Sequence, residues 1–181
     1  MVSRFRNRRD AGRRLAAELR TYANRSDVIV LALPRRGVPV GYEVATALDV
    51  PLDVFVVRKL GLPWHEELAM GALASGGVRI LDDDLIRVAR VSAEDIERVT
   101  AAEQIELERR ERRYRGDRPF PDLTGKTVLL VVTDWRRVRP CAPQWPRSGT
   151  KCHAVLSWQF PSRPRTPAMH FVTSLTTSCA L

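Results

Sequence analysis

Two clusters of cations carry the clearest chemistry in this chain. Each cluster follows an apolar run that predicts a buried strand, and the residues concerned are Arg35, Arg36, Gly37, Arg58 and Lys59. In a parallel sheet, ligands bind beyond the carboxyl ends of the strands. A glycine lets the backbone approach an anion, and an arginine binds an anion through two parallel hydrogen bonds. The spacing predicts a site for a polyanion such as pyrophosphate, with ordinary charged loops as the alternative.

The elements that would position these clusters alternate between strands and helices. The predicted strands are 27–33, 51–57 and 126–132, with shorter strands and a Gly76–Gly77 turn within 71–81. The predicted helices are 11–22, 42–48 and one that runs from Ser92 to about Arg113. This alternation predicts the α/β fold class, with a mainly parallel sheet flanked by helices.

Two of the helices have recognisable starts. Asp10 is the predicted N-cap of the first helix, and Ser92 with Asp95 forms a capping box for the long helix. The long helix is dense in charge, so we expect a solvated face with ion pairs between residues four apart. An interaction surface is the alternative for this helix.

Length and charge exclude several classes of protein. The chain has 181 residues, enough for one domain with a sizeable core, and no apolar run approaches the ~20 residues of a membrane span. The amino terminus lacks the apolar segment of a secretory signal, so we expect a cytoplasmic location. The net charge is +9, but residues 132–181 hold seven Lys or Arg and one acid. The front of the chain is therefore of mixed charge, which argues against a nucleic-acid partner.

The last fifty residues differ in composition from the rest. They hold all three cysteines and three of the four tryptophans, and most of the stretch has neither helical nor strand periodicity. Cys152, His153 and His170 match no zinc-ligand spacing, so no metal site is predicted there. We expect this tail to be irregular, apart from a short strand at 155–160 formed by chance. With no regular helix or strand after them to cover the sheet, Val128, Leu130 and Val132 should lose partners.

Several motifs, in order, resemble those of type I phosphoribosyltransferases, in the bacterial branch of uncertain substrate. They are L-P-R-R-G-V-P-V-G at 33–41, V-R-K-L-G at 57–61, E-E-L-A-M-G-A at 66–72 and R-R-E-R-R-Y-R-G at 109–116, preceded by F-R-N-R and D-A-G within 5–12. The resemblance covers about residues 4–131 and implies a Rossmann-like parallel sheet flanked by helices, incomplete on the C-terminal side.

The resemblance also implies a reaction. Members of the family transfer a 5-phosphoribosyl group from phosphoribosyl pyrophosphate (PRPP) to a nitrogen nucleophile and release pyrophosphate. Arg35, Arg36 and Gly37 correspond to the pyrophosphate loop, and Arg58 and Lys59 correspond more loosely to further contacts with PRPP. Mg²⁺ would arrive with PRPP, because this ion is commonly held through substrate phosphates. The sequence indicates neither the acceptor nor the oligomeric state.

The chain departs from the family pattern in two places. Arg36 stands where the family's loop, P-R-G-G, has a glycine. The second departure concerns two acids and the turn G-L-A-T-G-A-T, which should follow Val131 and are absent. In the family these acids hold the ribose hydroxyls, and the turn binds the 5-phosphate with backbone N–H groups.

One lost nucleotide explains the absence, as a hypothesis. The codons for Val132 to Trp135 can be written GTG ACG GAC TGG, and restoring one adenine gives GAT GAC GGA CTG, which encodes D-D-G-L. The shifted register from Trp135 to Trp145 is compatible throughout with L-A-T-G-A-T-M-R-A-A-V. A divergent but selected tail would not produce this repeated compatibility.

We therefore predict a phosphoribosyltransferase-like domain over residues 1–131 and an irregular, out-of-frame tail over residues 132–181. The enzyme should be defective as written, because its PRPP-binding turn is missing. A non-catalytic module that binds pyrophosphate or a nucleotide is the second hypothesis. Nucleic-acid binding by the tryptophans and arginines of the tail is the third, and it rests on composition alone.

Overall fold

A computed structural model of the chain describes residues 5–133 and the backbone of residues 154–159. These residues form two compact units, the first made of 5–54, 121–133 and 154–159 and the second of 55–120. The first unit contains α1 (Arg8–Glu18), a 3-10 helix (Arg20–Tyr22), β1 (Val28–Ala32), α2 (Val38–Leu48), β2 (Leu52–Val54), β6 (Thr127–Val132) and β7 (Ala154–Gln159). The second contains β3 (Val57–Leu62), β4 (His65–Ala74), β5 (Val78–Leu81), α3 (Asp83–Ala89) and α4 (Ala93–Arg115).

A four-stranded sheet lies at the centre of the first unit, in the order β2-β1-β6-β7. β1 pairs in parallel with both neighbours, so that Val30 lies opposite Leu52 on one side and Leu129 on the other. Every residue of β1 and β6 is buried, as expected for parallel strands covered on both faces. The predicted α/β fold, a parallel sheet flanked by helices, is confirmed.

Helix α2 supplies much of the cover of this sheet. Val40, Val44 and Leu48 recur on one face of the helix and pack in one apolar cluster with Val30 and Leu129. The helix begins four residues earlier than the predicted start at residue 42. Pro39 lies in its first turn, where the missing N–H of proline has no intrahelical partner to lose.

The start of α1 also differs from the prediction. Asn7 is the N-cap, because its side-chain oxygen accepts a hydrogen bond from the backbone N–H of Asp10. Asp10 lies in the first turn and accepts a hydrogen bond from the backbone N–H of Arg6, which lowers the pKa of its carboxyl below the usual value. The helix ends at Glu18, where a 3-10 turn replaces the predicted last turn of α-helix.

The second unit is an antiparallel sheet, in the order β3-β4-β5, packed against helices. Leu60, Met70 and Leu73 of the sheet form an apolar cluster with Val91, and Ile96 of α4 packs against it. The turn predicted at Gly76–Gly77 joins β4 to β5, and both glycines have positive φ. Helix α3 follows β5 and was not predicted from the sequence.

The long helix is α4, and its predicted capping is confirmed. The Ser92 hydroxyl accepts a hydrogen bond from the backbone N–H of Asp95 and donates one to its carboxylate. The predicted solvated face is also observed, since Glu106 pairs with Arg109 and Arg110 along the helix. In the part of the chain that the structure describes, no helix is both long and apolar enough to cross a membrane.

One strand prediction is wrong. The run 51–57 was expected to be a single buried strand, but β2 stops at Val54 and its three residues are only half-buried. A new strand, β3, begins at Val57 and belongs to the antiparallel sheet of the second unit. The apolar run continues across two residues that lie in neither strand, which is why hydrophobicity alone did not locate the break.

The chain past Thr133 is described only at β7. This strand occupies residues 154–159, one residue earlier than the predicted chance strand, and pairs antiparallel with β6. It gives every residue of β6 a strand neighbour, so the expectation that Val128, Leu130 and Val132 lose partners is wrong for the backbone. The rest of the predicted irregular tail, 134–153 and 160–181, lies outside the described residues.

Candidate anion-binding site

Residues 34–37, here called the arginine loop, connect β1 to α2 at the carboxyl edge of the parallel sheet. The loop is anchored at both ends by backbone hydrogen bonds. The N–H of Leu33 donates to the carbonyl of Val131 in β6 at 3.1 Å, and the N–H of Gly37 donates to the carbonyl of Leu33 at 2.9 Å. The Pro34–Arg35 peptide bond is cis. The loop therefore lies directly over the ends of β1 and β6.

Residue 37 must be a glycine because the backbone there lies very close to the ends of the two strands. Its φ is −72°, which any residue can adopt. A Cβ at this position would lie 2.5 Å from the carbonyl oxygen of Leu33 and 2.8 Å from that of Val131. Both distances are far shorter than a van der Waals contact, so only glycine lets the loop pack this closely on the two strands.

The first turn of α2 offers backbone donors beside the loop. Gly37 is the N-cap residue, and no side chain among the described residues caps the helix. The first N–H groups of a helix have no intrahelical partner, and the positive end of the helix dipole lies at the same place. Val38 and Val40 carry such N–H groups, whereas Pro39 has none. An anion is the kind of ligand that satisfies such groups.

Arg35 and Arg36 add two guanidinium groups to the loop. Both side chains are exposed, and neither has a hydrogen-bond or ion-pair partner in the described part of the chain. The non-glycine residues with positive φ among residues 5–133 are Asn24, Asp49 and Arg90. Arg36 is therefore accommodated without the unusual backbone that a glycine could have taken at its place.

The second predicted cluster has a different setting. Arg58 and Lys59 lie within β3 of the antiparallel sheet, and the expectation that they follow the end of a parallel strand is wrong. Arg58 is paired with Glu103 of α4 at 2.5 Å, with side chains 24% and 26% exposed. The Nζ of Lys59 lies 3.3 Å from a carboxylate oxygen of Glu67 on β4. Each cation thus has an acid beside it, whereas the two arginines of the loop have none among residues 5–133.

Gly41 contributes to the site in a way that was not predicted from the sequence, because the helix was expected to begin only at residue 42. It lies in the second turn of α2, and a Cβ there would be 2.9 Å from the Cβ of Ala32 at the end of β1. Its spacing of four residues from Gly37 places both glycines on the sheet-facing side of the helix. That spacing was the signal available in the sequence.

Residues 2–131 match the phosphoribosyl transferase domain family. The chain belongs to this family. Two proteins from different strains of Mycobacterium tuberculosis, each named "Putative phosphoribosyl transferase" (MT0597 and Rv0571c), are 47% identical to it over 127 residues. The matched stretch is 70% of this chain and 28% of each relative, so the chain spans less than a third of the length of those curated relatives.

A solved structure supports the same family fold. The crystal structure of TT1426 from Thermus thermophilus is 40% identical in sequence, with a TM-score of 0.59. The match covers 71% of this chain and 60% of that chain. The resemblance to phosphoribosyltransferases drawn from the motifs is thereby confirmed.

Proposed function

We propose that the arginine loop binds pyrophosphate, and that the reaction of this lineage is transfer of a 5-phosphoribosyl group from PRPP to a nitrogen nucleophile with release of pyrophosphate. The observation that carries the proposal is the position of the loop. Two exposed guanidinium groups, Arg35 and Arg36, precede a helix N-terminus at the carboxyl edge of a parallel sheet, and no described side chain caps that terminus. Cations and free backbone donors together suit a doubly charged phosphate group.

The residues present would act by binding and orientation. The arginines would hold the pyrophosphate portion of PRPP and stabilise the negative charge that it gains as the bond to the ribose breaks. The family resemblance implies a transition state with oxocarbenium character, for which positioning of the two reactants is the main requirement. Arg58 and Lys59 remain proposed secondary contacts, each in competition with its acidic neighbour, Glu103 or Glu67.

The proposed Mg²⁺ would belong to the substrate. Among residues 5–133 there is no cluster of three or more His, Cys, Asp or Glu side chains that could hold a metal ion. The described residues therefore do not fit a site built by the protein alone. Mg²⁺ bound through PRPP's own phosphates remains compatible with this arrangement.

We also propose that the chain as written turns over PRPP poorly. Its sequence after Val132 lacks the two acids and the T-G-A-T turn that hold the ribose and the 5-phosphate in the family. Three or four charge-assisted hydrogen bonds at ~1.5–3 kcal/mol each correspond to roughly 5–10 kcal/mol. At ~1.4 kcal/mol per decade, that is about four to seven orders of magnitude in rate. The lost nucleotide described above is the proposed origin of this defect.

Binding and turnover can be measured separately. Isothermal titration calorimetry with pyrophosphate should show saturable binding. Arg35→Gln should lower the affinity for pyrophosphate about tenfold or more. Arg20→Gln is the matched control, because Arg20 is an exposed arginine of the same unit outside the loop. An assay for pyrophosphate release from PRPP with a panel of nitrogen bases should give negligible turnover.

Two results would count against the proposal. Equal pyrophosphate affinity in Arg35→Gln and in Arg20→Gln would remove the arginine loop as the binding site. Turnover near that of an intact relative would show that the missing turn is not needed.

A second function, a non-catalytic module for pyrophosphate or a nucleotide, is favoured by one combination of features. The loop with Arg35 and Arg36 is present, while the signature that holds the ribose is absent from the sequence. Saturable pyrophosphate binding without any turnover, and with the same affinity for pyrophosphate and PRPP, would support this reading.

A further inference from the structure

Glu43, in the second turn of α2, joins α2 to α1 through two arginines. The Nε of Arg13 donates a hydrogen bond to Oε2 of Glu43 at 3.0 Å, and the Nε of Arg9 lies 3.8 Å from Oε1. The Glu43 side chain is only 15% exposed, whereas those of Arg9 and Arg13 are 74% and 70% exposed. The carboxylate is therefore covered by the helix pair, with the two guanidinium groups at its outer side.

The two helices cross at Gly12, immediately before Arg13. A Cβ at Gly12 would lie 2.7 Å from the Cβ of Glu43 and 2.8 Å from the carbonyl oxygen of Val40. No side chain fits at these distances, so the absence of one lets the α1 backbone rest directly on the first two turns of α2. This close crossing explains why the third residue of the D-A-G motif is a glycine.

Helix α2 is held on its other side by the sheet. Gly41 rests on Ala32 of β1, and Gly37 rests on the carbonyl oxygens of Leu33 and Val131. The beginning of α2 is thus fixed between β1 on one side and α1 on the other. The arginine loop runs directly into this turn, so a shift of α2 would move the loop with it.

We propose that Glu43 is a positioning residue for the arginine loop. By tying α2 to Arg13 and Arg9 across the Gly12 crossing, it fixes where the first-turn N–H groups and the loop lie. Partly exposed ion pairs usually contribute little to stability, so we expect Glu43→Ala to stay folded and its pyrophosphate binding to be measurable. This inference rests on the proposed function, because its readout is pyrophosphate binding.

The test compares Glu43→Ala with Glu106→Ala by pyrophosphate titration well below the unfolding temperature. Glu106 is the matched control, because its carboxylate also pairs with two arginines, Arg109 and Arg110, but lies on α4. We expect Glu43→Ala to bind pyrophosphate about tenfold more weakly, as a displaced binding group does. Glu106→Ala should bind as the wild type does. Glu43→Gln keeps an oxygen that accepts from Arg13 and should also bind nearly as the wild type does.

The sign of the change separates positioning from simple charge. Removing a negative charge near an anion site strengthens anion binding by electrostatics alone. Glu43→Ala with unchanged or tighter pyrophosphate binding would therefore overturn the inference, even if its melting temperature fell. Wild-type protein that binds no pyrophosphate would overturn the proposed function and this inference together. Normal wild-type binding with an unaffected Glu43→Ala would overturn the inference alone.

A second pair of variants covers the case in which Glu43→Ala does not fold. Arg13→Ala and Arg20→Ala remove the same charge from the surface of the same unit, but only Arg13 pairs with Glu43. Weaker pyrophosphate binding in Arg13→Ala than in Arg20→Ala at high salt, where the effect of one lost charge is screened, would support the tie between the helices. Equal binding in the two variants would overturn it.

Discussion

Single residues divide the predicted site into two parts of different character. Arg35 and Arg36 are exposed and have no partner among residues 5–133, whereas Arg58 and Lys59 lie beside Glu103 and Glu67. A guanidinium without a partner can bind an anion without first breaking an ion pair. A paired cation must first separate from its acid, so we expect the arginine loop to dominate pyrophosphate binding.

Gly37→Ala gives a sharp prediction at this scale. The new Cβ would collide with the carbonyl oxygens of Leu33 and Val131, which belong to rigid strand ends and cannot move easily. We expect the free energy of unfolding to fall by about 1–3 kcal/mol, the usual effect of forcing a methyl group into a packed site. Urea unfolding monitored by circular dichroism measures this change.

Arg36→Ala is the control for that substitution. Its side chain is exposed and its backbone is ordinary, so the free energy of unfolding should change by no more than about 0.5 kcal/mol. The two variants should therefore differ in the free energy of unfolding, although the substituted residues are neighbours in the chain. Equal stability of Gly37→Ala and Arg36→Ala would mean that the loop does not rest on the strand ends.

At the scale of elements, the parallel core was the most predictable part. Strands β1 and β6 are continuous apolar runs, and the structure reproduces both within one residue at each end. The capping box at Ser92 likewise located α4, because its signal is local. The end of β2 and the start of β3 could not be read, since the residues between them are as apolar as those within the strands.

The charged face of α4 leads to a prediction about pH. Hydrogen bonds from Arg109 and then Arg110 lower the pKa of the Glu106 carboxyl from 4.5 to about 2. Because the pKa is lower in the folded state, the stabilisation is complete above about pH 4.5 and is lost as the pH falls towards 2. We expect Glu106→Gln to lower the melting temperature at pH 6 and to have little effect near pH 2.

Glu66→Gln is the matched control for the melting curves. Glu66 is an exposed acid of the same unit, on β4, and its side chain has no ion pair in the described part of the chain. Its removal should leave the melting temperature nearly unchanged across the same pH range. High salt should reduce the effect of Glu106→Gln, since the ion pairs involved are partly exposed to solvent. An effect of Glu106→Gln on the melting temperature that grows towards low pH would contradict the lowered pKa of Glu106.

At the scale of the whole molecule, the sequence predicted the family but not the division into units. Motifs spread from residue 5 to residue 116 identified the phosphoribosyltransferase resemblance. The order of these motifs can be read from the sequence without knowing how the segments pack. The second unit could not be predicted from the sequence, because antiparallel strands and a charged helix also occur within a single α/β domain. The contacts of Gly12 depend on which helices cross, and a single sequence does not contain that information.

Restoring the reading frame gives the last prediction. Inserting one adenine after the first base of codon 132 should replace everything beyond Val131 and create D-D-G-L-A-T-G-A-T directly after Val131. We expect the repaired protein to release pyrophosphate from PRPP at least about 10⁴-fold faster than the 181-residue chain with a suitable nitrogen base. A coupled assay for pyrophosphate across a panel of bases measures the rate.

The control is the repaired protein with both new aspartates changed to asparagine. It keeps the restored turn and the rest of the chain, but it lacks the carboxylates that hold the ribose hydroxyls in the family. Activity that appears on repair and disappears in this control would tie the defect to the missing acids, since only the two charges differ. A repaired protein no faster than the original would rule out the lost nucleotide as the cause. Resequencing the gene between the codons for Leu130 and Arg136 would then show whether the original frame is the natural one.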